Sequence, residues 1–309
     1  MRAVVFAYHS VGARALRTLL AAGVDVALVV THADDPHETI WFDSVAEVAA
    51  EHDIAVELVD QALSAAQQHR VAAIAPDYIF SFYFRRMLPD AVLASARIAA
   101  LNLHGSLLPK YRGRVPVNWA VLHGERETGA TLHLMEAKPD AGDIVAQQAV
   151  PILPDDTARD VFDKVTVAAE IALAGVLPQL LRGVVPRRRN ALELGSYFGG
   201  RRPDDGRIDW TQPARRVYDL MRAVAPPYPG AFFECGGRRL LVARARIARA
   251  ALAAALPADA APGLHVVAGA ALARCGDGGV IHLQQLWDSA EPGVALHLNR
   301  ISELARTQP

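Results

Sequence analysis

The chain has 309 residues, 52% of them hydrophobic and 21% charged, with a formal net charge of −1. That composition excludes a disordered or collagen-like chain and is that of a folded protein with a substantial core. Two cysteines, Cys235 and Cys275, make neither a disulfide framework nor a metal pattern, and without an apolar run of about 18 residues or a signal-peptide pattern at MRAVVFAYHS a cytoplasmic protein is expected.

Strand and helix patterns alternate through the first half. Residues 2–7 form a short valine-rich run that reads as a buried strand. Residues 11–22 carry leucines at helical spacing and stop at Gly23; residues 24–30 are again β-rich. Ser44, followed by Glu47 three residues later, predicts the start of a helix that runs to His52. Residues 55–59, 77–82 and 98–104 read as strands, and 61–75 and 89–95 as helices. This alternation implies parallel βαβ units in a layered α/β sheet. Such sheets bind ligands beyond the carboxyl ends of their strands. The loops after Ala7, Val30, Phe82 and His104 are therefore the candidates. Tyr8-His9-Ser10-Val11-Gly12 stands where a Gly-x-Gly-x-x-Gly would, and no Walker-type loop occurs, so NAD is not expected.

After His104 the pattern changes. Residues 116–123 read as a short helix, and 128–135 and 144–150 as strands around the turn Pro139-Asp140-Ala141-Gly142-Asp143. Residues 156–181 read as one long amphipathic helix capped by Asp156. A linker is expected over 186–205. A helix at 213–225 then precedes β-rich runs at 230–234, 239–248, 263–267, 271–275 and 280–286, for which a small OB-like β-barrel is the economical reading. The alanine-rich stretch 250–261 reads as a loop insertion. The expected division is a catalytic domain over 1–185, the linker, and a barrel domain over 206–309.

Charge is unevenly spread. Residues 1–180 hold 14 basic against 22 acidic groups, whereas 181–250 hold 15 arginines against 6 acids. The basic segment suggests an anionic partner: a diphosphate, a nucleic acid or the acidic first domain.

Asn102-Leu103-His104 ends a predicted strand. Residues two apart on a strand share a face, so Asn102 and His104 project together towards the crevice. A lone histidine at a strand end ordinarily caps backbone; the adjoining asparagine and the loop over 105–114 favour a chemical role. Asp140 lies in a tight turn, where Asp beside Pro is ordinary turn chemistry.

Taken together, Asn102-Leu103-His104, Ser106-Leu107-Leu108-Pro109 and Asp140-Ala141-Gly142-Asp143 resemble the signature of folate-dependent formyltransferases. Phe80-Ser81-Phe82-Tyr83-Phe84-Arg85-Arg86, Leu107-Leu108-Pro109-Lys110-Tyr111-Arg112-Gly113-Arg114 and Asn118-Trp119 resemble one branch, the UDP-4-amino-4-deoxy-L-arabinose formyltransferases. Gly200-Arg201-Arg202-Pro203-Asp204-Asp205, Arg222-Ala223-Val224-Ala225 and Pro229-Gly230-Ala231-Phe232 are similar to that family's C-terminal domain. The resemblance implies a Rossmann-like, mostly parallel formyltransferase fold and N10-formyltetrahydrofolate as co-substrate, with no metal. It further implies transfer to the 4-amino group of a UDP-linked sugar, serving lipid A modification and polymyxin resistance.

The implied roles match the chemistry that the reaction requires. An amine must attack uncharged, and a histidine suits proton transfer near neutral pH; His104 takes that role. Asp140 would hold the ring and favour its imidazolium form, and the Asn102 amide would donate to the oxyanion. By resemblance, Arg86, Met87, Leu88, Arg114 and the run Glu136, Ala137, Lys138, Pro139, Asp140 would bind the folate. Lys110, Arg112, Arg201 and Arg202 would meet the sugar nucleotide, since guanidinium groups suit diphosphates.

Methionyl-tRNA is the alternative acceptor, because a basic segment suits phosphate neutralisation. The loop over 31–38 argues against it, with three acids and no Lys or Arg; no nucleic acid is expected. A non-catalytic folate or nucleotide-sugar binder on the same fold is a third reading, which intact Asn102, His104 and Asp140 disfavour. In the bifunctional relatives a decarboxylase domain follows; with the chain ending at Pro309, that activity and its oligomeric contacts are expected elsewhere, leaving a monomer or weak dimer.

Overall fold

Branched side chains such as valine fit a buried, pleated surface, and the chain opens with them: β1 (Arg2–Ala7) is buried from Ala3 onward. The computed structural model describes residues 1–35 and 39–306. Pro36, His37 and Glu38, part of the acidic loop that argues against a tRNA acceptor, lie outside the described residues.

α1 (His9–Ala21) turns Val11, Ala15, Leu16 and Leu19 inward. β2 (Asp25–Thr31), α2 (Val45–Glu51) and β3 (Val56–Leu58) follow, and Ser44 Oγ accepts the Glu47 N–H at the start of α2. α3 (Ala65–Ile74) starts later than residue 61, because Ser64 and Gln67 cap each other reciprocally and fix the first turn there. β4 (Tyr78–Phe82) is wholly buried; α4 (Asp90–Leu93) leads to β5 (Ala99–His104). Then come β6 (Arg112–Gly113), α5 (Pro116–Leu122), β7 (Glu127–Leu134), β8 (Ile144–Pro151), α6 (Ala158–Leu180) and β9 (Tyr197–Phe198).

The large sheet has the order β3-β2-β1-β4-β5-β7-β8. The pairs from β3 to β5 are parallel, and β5–β7 and β7–β8 are antiparallel. Strand order reverses between β1 and β4, the switch point where such sheets open a crevice. Val4, Phe6, Val30, Ile79 and Leu88 share one core cluster on the sheet. The cap of α6 differs from the reading above. Thr157 and Asp160 exchange hydrogen bonds there, while Asp156 Oδ2 accepts the Leu153 N–H one turn earlier.

The chain divides into two compact units, one of residues 1–116, 127–151 and 162–199, the other of 117–126, 152–161 and 200–309. The stretch 186–205 is thus shared. Its first part is structured within the first unit, where Arg188 bridges Ile144 and β9 pairs with β6.

In the second unit, α7 (Ala214–Val224) precedes β10 (Ala231–Cys235) and β11 (Arg238–Ile247). Gly236 and Gly237, with φ of +55° and +73°, make the tight turn between them, which side chains with a Cβ disfavour. α8 (Ala250–Ala253), β12 (Gly263–Val267), β13 (Ala270–Arg274), β14 (Val280–Asp288) and α9 (Leu298–Arg306) complete it. The five strands form an antiparallel half-barrel, ordered β10-β11-β14-β13-β12. The stretch 250–261 is not a bare loop: Leu252, Ala253, Leu256 and Ala260 pack with Leu272 and Val280. Among the described residues, no helix is long and apolar enough to cross a membrane.

A buried ion pair stiffens this unit. Arg222 and Asp219 are 2% and 4% exposed; the carboxylate also takes Arg215, and Arg222 donates to the Asp156 carbonyl. Asp219→Ala strands a buried guanidinium and is expected to cost about 3–5 kcal/mol in urea denaturation. A loss below about 1 kcal/mol would contradict that account.

Candidate active site

The last turn of the pleat in β5 presents Asn102 and His104 on one face, as the sequence predicts. β7 lies antiparallel beside it, with Asn102 opposite His133 and His104 opposite Thr131. Because alternate residues share a face, four polar side chains gather at this end of the two strands. Asn102 Nδ2 lies 3.0 Å from His133 Nε2. His133 Nδ1 is 2.8 Å from the Leu134 carbonyl, which can only accept. His133 therefore carries its proton on Nδ1 and accepts from the Asn102 amide at Nε2. One Asn102 N–H is thereby fixed and the other is left to donate.

Thr131 anchors the loop after β5. Its hydroxyl donates to the Ser106 carbonyl and accepts from the Leu108 N–H and Gln147 Nε2. The same loop returns the Tyr111 carbonyl to His104 Nε2 at 2.7 Å. Nε2 is thus the donor, and Nδ1 is the nitrogen free to take a proton. Nδ1 sits 3.5 Å from Asp140 Oδ1, with His104 6% exposed.

Asp140 reaches this place from the turn between β7 and β8, with φ of +52°. Asn190 Nδ2 donates to the carbonyls of Asp140 and Gly142 and so holds the turn. Asp140 Oδ2 accepts the Gly113 N–H at 2.8 Å. Gly113 has φ of +99°, and a Cβ there would run into the Phe198 carbonyl, so only glycine fits. His133 Nε2 also lies 3.5 Å from Oδ1, but its lone pair is directed at Asn102.

Burial disfavours charge on both groups. It pushes the His104 pKa below the ordinary value, against the opposing pull of the Asp140 charge and the Tyr111 carbonyl. Burial alone would raise the Asp140 carboxyl; the His104 charge, the neighbouring His133 ring and the Gly113 N–H outweigh it and hold the group well below the usual carboxylate range. At neutral pH the site holds a neutral imidazole, an ionised carboxylate and an oriented amide. That set can accept a proton, stabilise the cation so formed and donate to a developing oxyanion.

Residues 1–177 match the family model described as formyl transferase, and residues 201–292 the formyl transferase C-terminal domain. The chain belongs to the formyl transferase family. It is similar in fold to an N-formyltransferase from Helicobacter canadensis solved with folinic acid and dTDP-3-aminofucose, at 18% identity and a TM-score of 0.71, covering 91% of this chain and 98% of that one. WlaRD, a sugar 3N-formyl transferase solved in the presence of dTDP and 5-N-formyl-THF, matches at 18% identity and a TM-score of 0.70, covering 93% and 97%. A 4-N formyltransferase from Francisella tularensis matches at 21% identity and 0.64, covering 79% and 96%.

The remaining residues of this formyltransferase singled out from sequence fall into distinct settings. Arg86 is exposed and donates to the Asp60 carbonyl; Met87 is 63% exposed. The Leu88 side chain lies in the core, so only its backbone can face a ligand. Glu136, Ala137, Lys138 and Pro139 form an exposed loop leading into Asp140, and Lys110 and Arg114 are exposed. Arg112 is buried, and among the described residues its Nε has no hydrogen-bond partner. Arg201 and Arg202 belong to the second unit. There Arg201 lies 5.0 Å over the Trp119 ring, and the Arg202 N–H is held by Asp205.

His133 escaped the sequence reading. Its signal was present: Thr131 and His133 alternate at period two within residues 129–134, which are otherwise apolar.

Removing the carboxylate removes the charge that favours the His104 imidazolium. Asp140→Asn is therefore expected to lower the His104 pKa further, read by NMR titration of the imidazole carbons. A rise would reverse the assigned sign of the Asp140 interaction.

Proposed function

We propose that this enzyme transfers the formyl group of N10-formyltetrahydrofolate to the amine of a nucleotide-linked sugar, with the 4-amino group of UDP-4-amino-4-deoxy-L-arabinose as acceptor. The observation that carries the reading is the meeting of Asn102, His104 and Asp140 in one hydrogen-bonded, largely buried cluster. Family membership supplies the reaction class. The sugar N-formyltransferases of similar fold, solved with folate derivatives and dTDP or a dTDP-sugar, support a sugar amine and a folate donor. The branch motifs at 80–86 and 107–114 support the UDP-linked sugar, and with it a role in lipid A modification.

The neutral amine attacks the formyl carbon, forming the new C–N bond as the carbonyl π electrons move to oxygen. The second Asn102 N–H donates to that oxyanion; loss of such a donor typically costs about 2.7–4 kcal/mol of barrier. The amine's surplus proton passes to His104 Nδ1, and Asp140 stabilises the imidazolium. Collapse of the oxyanion breaks the bond to N10 of the folate, which leaves with a proton returned through His104. Arg86, Met87, the Leu88 backbone, Arg114 and the loop from Glu136 to Asp140 would hold the folate. Lys110 and Arg112 would meet the diphosphate, and the buried Nε of Arg112, without a hydrogen-bond partner among the described residues, supports an anion there.

Incubation with N10-formyltetrahydrofolate and UDP-4-amino-4-deoxy-L-arabinose should yield the N-formyl sugar by mass spectrometry. Transfer to methionyl-tRNA alone would move the acceptor, and transfer to no amine would leave a binding protein. His104→Ala should lower kcat by at least about 10²-fold while folate still binds; a variant keeping most of its kcat would remove His104 as the base. His133→Ala frees the Asn102 amide to rotate and should lower kcat up to about 10²-fold. His133→Gln, whose side-chain oxygen can accept the same N–H, should restore most of it. Equal loss in both variants would reduce His133 to a packing role.

A further inference from the structure

Helix α6 packs one side against the first unit and leaves the other unusually apolar. Val165, Ala169, Leu173, Val176 and Leu180 are buried. On the opposite side, Val167 and Ile171 are 44% and 52% exposed, Ala174 and Pro178 are exposed, and Leu181 is 41% exposed. Leu181 continues the helix by one residue, since its N–H bonds the Leu177 carbonyl. Between Lys164 and Arg182 the only charged residue is Glu170, already ion-paired with Arg14 of α1.

The spacing of this stripe is 4, 3, 4, 3 over residues 167, 171, 174, 178 and 181. An average of 3.5 is the period of a seam between two helices rather than of a helix facing water. The stripe also has a shape. Its first half carries the large side chains Val167 and Ile171. Its second half carries Ala174 and Pro178, which with Arg14, Thr18 and Ala21 of α1 border a groove of about 690 Å³.

From these features we infer that the protein self-associates through α6, two copies packing antiparallel about a two-fold axis between residues 172 and 173. That register maps Val167, Ile171, Ala174 and Pro178 onto one another. Val167 falls opposite the partner's Pro178, and Ile171 opposite the partner's Ala174, so the large half of each helix enters the groove of the other. It also sets Asp163 opposite the partner's Arg182, twice by symmetry, which closes both ends with opposite charges. An isologous contact of this kind needs a self-complementary surface, and both the shape and the charge of α6 meet that condition. A lipid surface is a poorer occupant, because an interfacial helix flanks its apolar face with several Lys and Arg.

The test is sedimentation velocity across the micromolar range. The protein should run as a concentration-dependent dimer. Ile171→Glu, at an exposed position, should raise the dissociation constant by about thirtyfold or more without lowering the melting temperature or specific activity. Asp163→Arg and Arg182→Asp should each weaken the dimer, and the double variant should restore it. Oxidation of a Val167→Cys, Pro178→Cys double variant should give a covalent dimer, a pairing that one helix cannot make with itself. A monomer throughout the range, a dimer untouched by Ile171→Glu, or a charge swap no better than its singles would overturn the inference.

Discussion

The site depends on one register: β7 running antiparallel beside β5 with His133 opposite Asn102. A strand's side chains alternate with period two, so a slip by one residue would send His133 and Thr131 to the other face. Asn102 would lose the acceptor that orients its amide, and the loop from Ser106 to Leu108 would lose the hydroxyl that ties it down. With the loop would go the Tyr111 carbonyl that sets the His104 tautomer. The antiparallel pair also delivers the turn that holds Asp140, since β7 and β8 meet at that end of the sheet. An all-parallel sheet would place no hairpin turn there.

Burial makes the cluster effective and constrains it. In a low-dielectric setting a carboxylate acts strongly on a neighbouring imidazole, and an unpaired charge there is costly. The Gly113 N–H meets one oxygen of Asp140, and the imidazole faces the other. A glycine at φ of +99°, held by the β6–β9 pair, thus helps to set the Asp140 carboxylate although it has no side chain. A residue with a Cβ would displace the Phe198 carbonyl and with it the donor to Asp140.

Much of this was legible in the sequence. The alternation of valine runs and leucine periodicity yields the parallel strands and their order of appearance, and the pairing of Asn102 with His104 follows from strand geometry alone. What escaped depends on contacts distant in sequence. β6 and β9 are two-residue strands formed only by meeting each other, 85 residues apart at Tyr111 and Ser196. The stretch 250–261 looked featureless because alanine carries little pattern, yet Leu256 is buried there. The cap of α6 was displaced by one residue, because Asp156 and Thr157 are both good caps and only the Asp160 carboxylate decides between them. Asp140 could be placed in a turn by composition, but its meeting with His104 came only from resemblance.

The same separation bears on specificity. An imidazole, a carboxylate and an amide donor can act on any amine and any acyl carbon brought to them, so such a set says little about the acceptor. Choice of acceptor must rest on groups that touch the rest of the substrate. Among buried cations, Arg112 keeps an Nε without a hydrogen-bond partner among the described residues, a state that costs free energy. Asp219 and Arg222, also buried, instead satisfy each other. The contrast is between a buried guanidinium whose charge is met within the fold and one that keeps a donor unmet among the described residues.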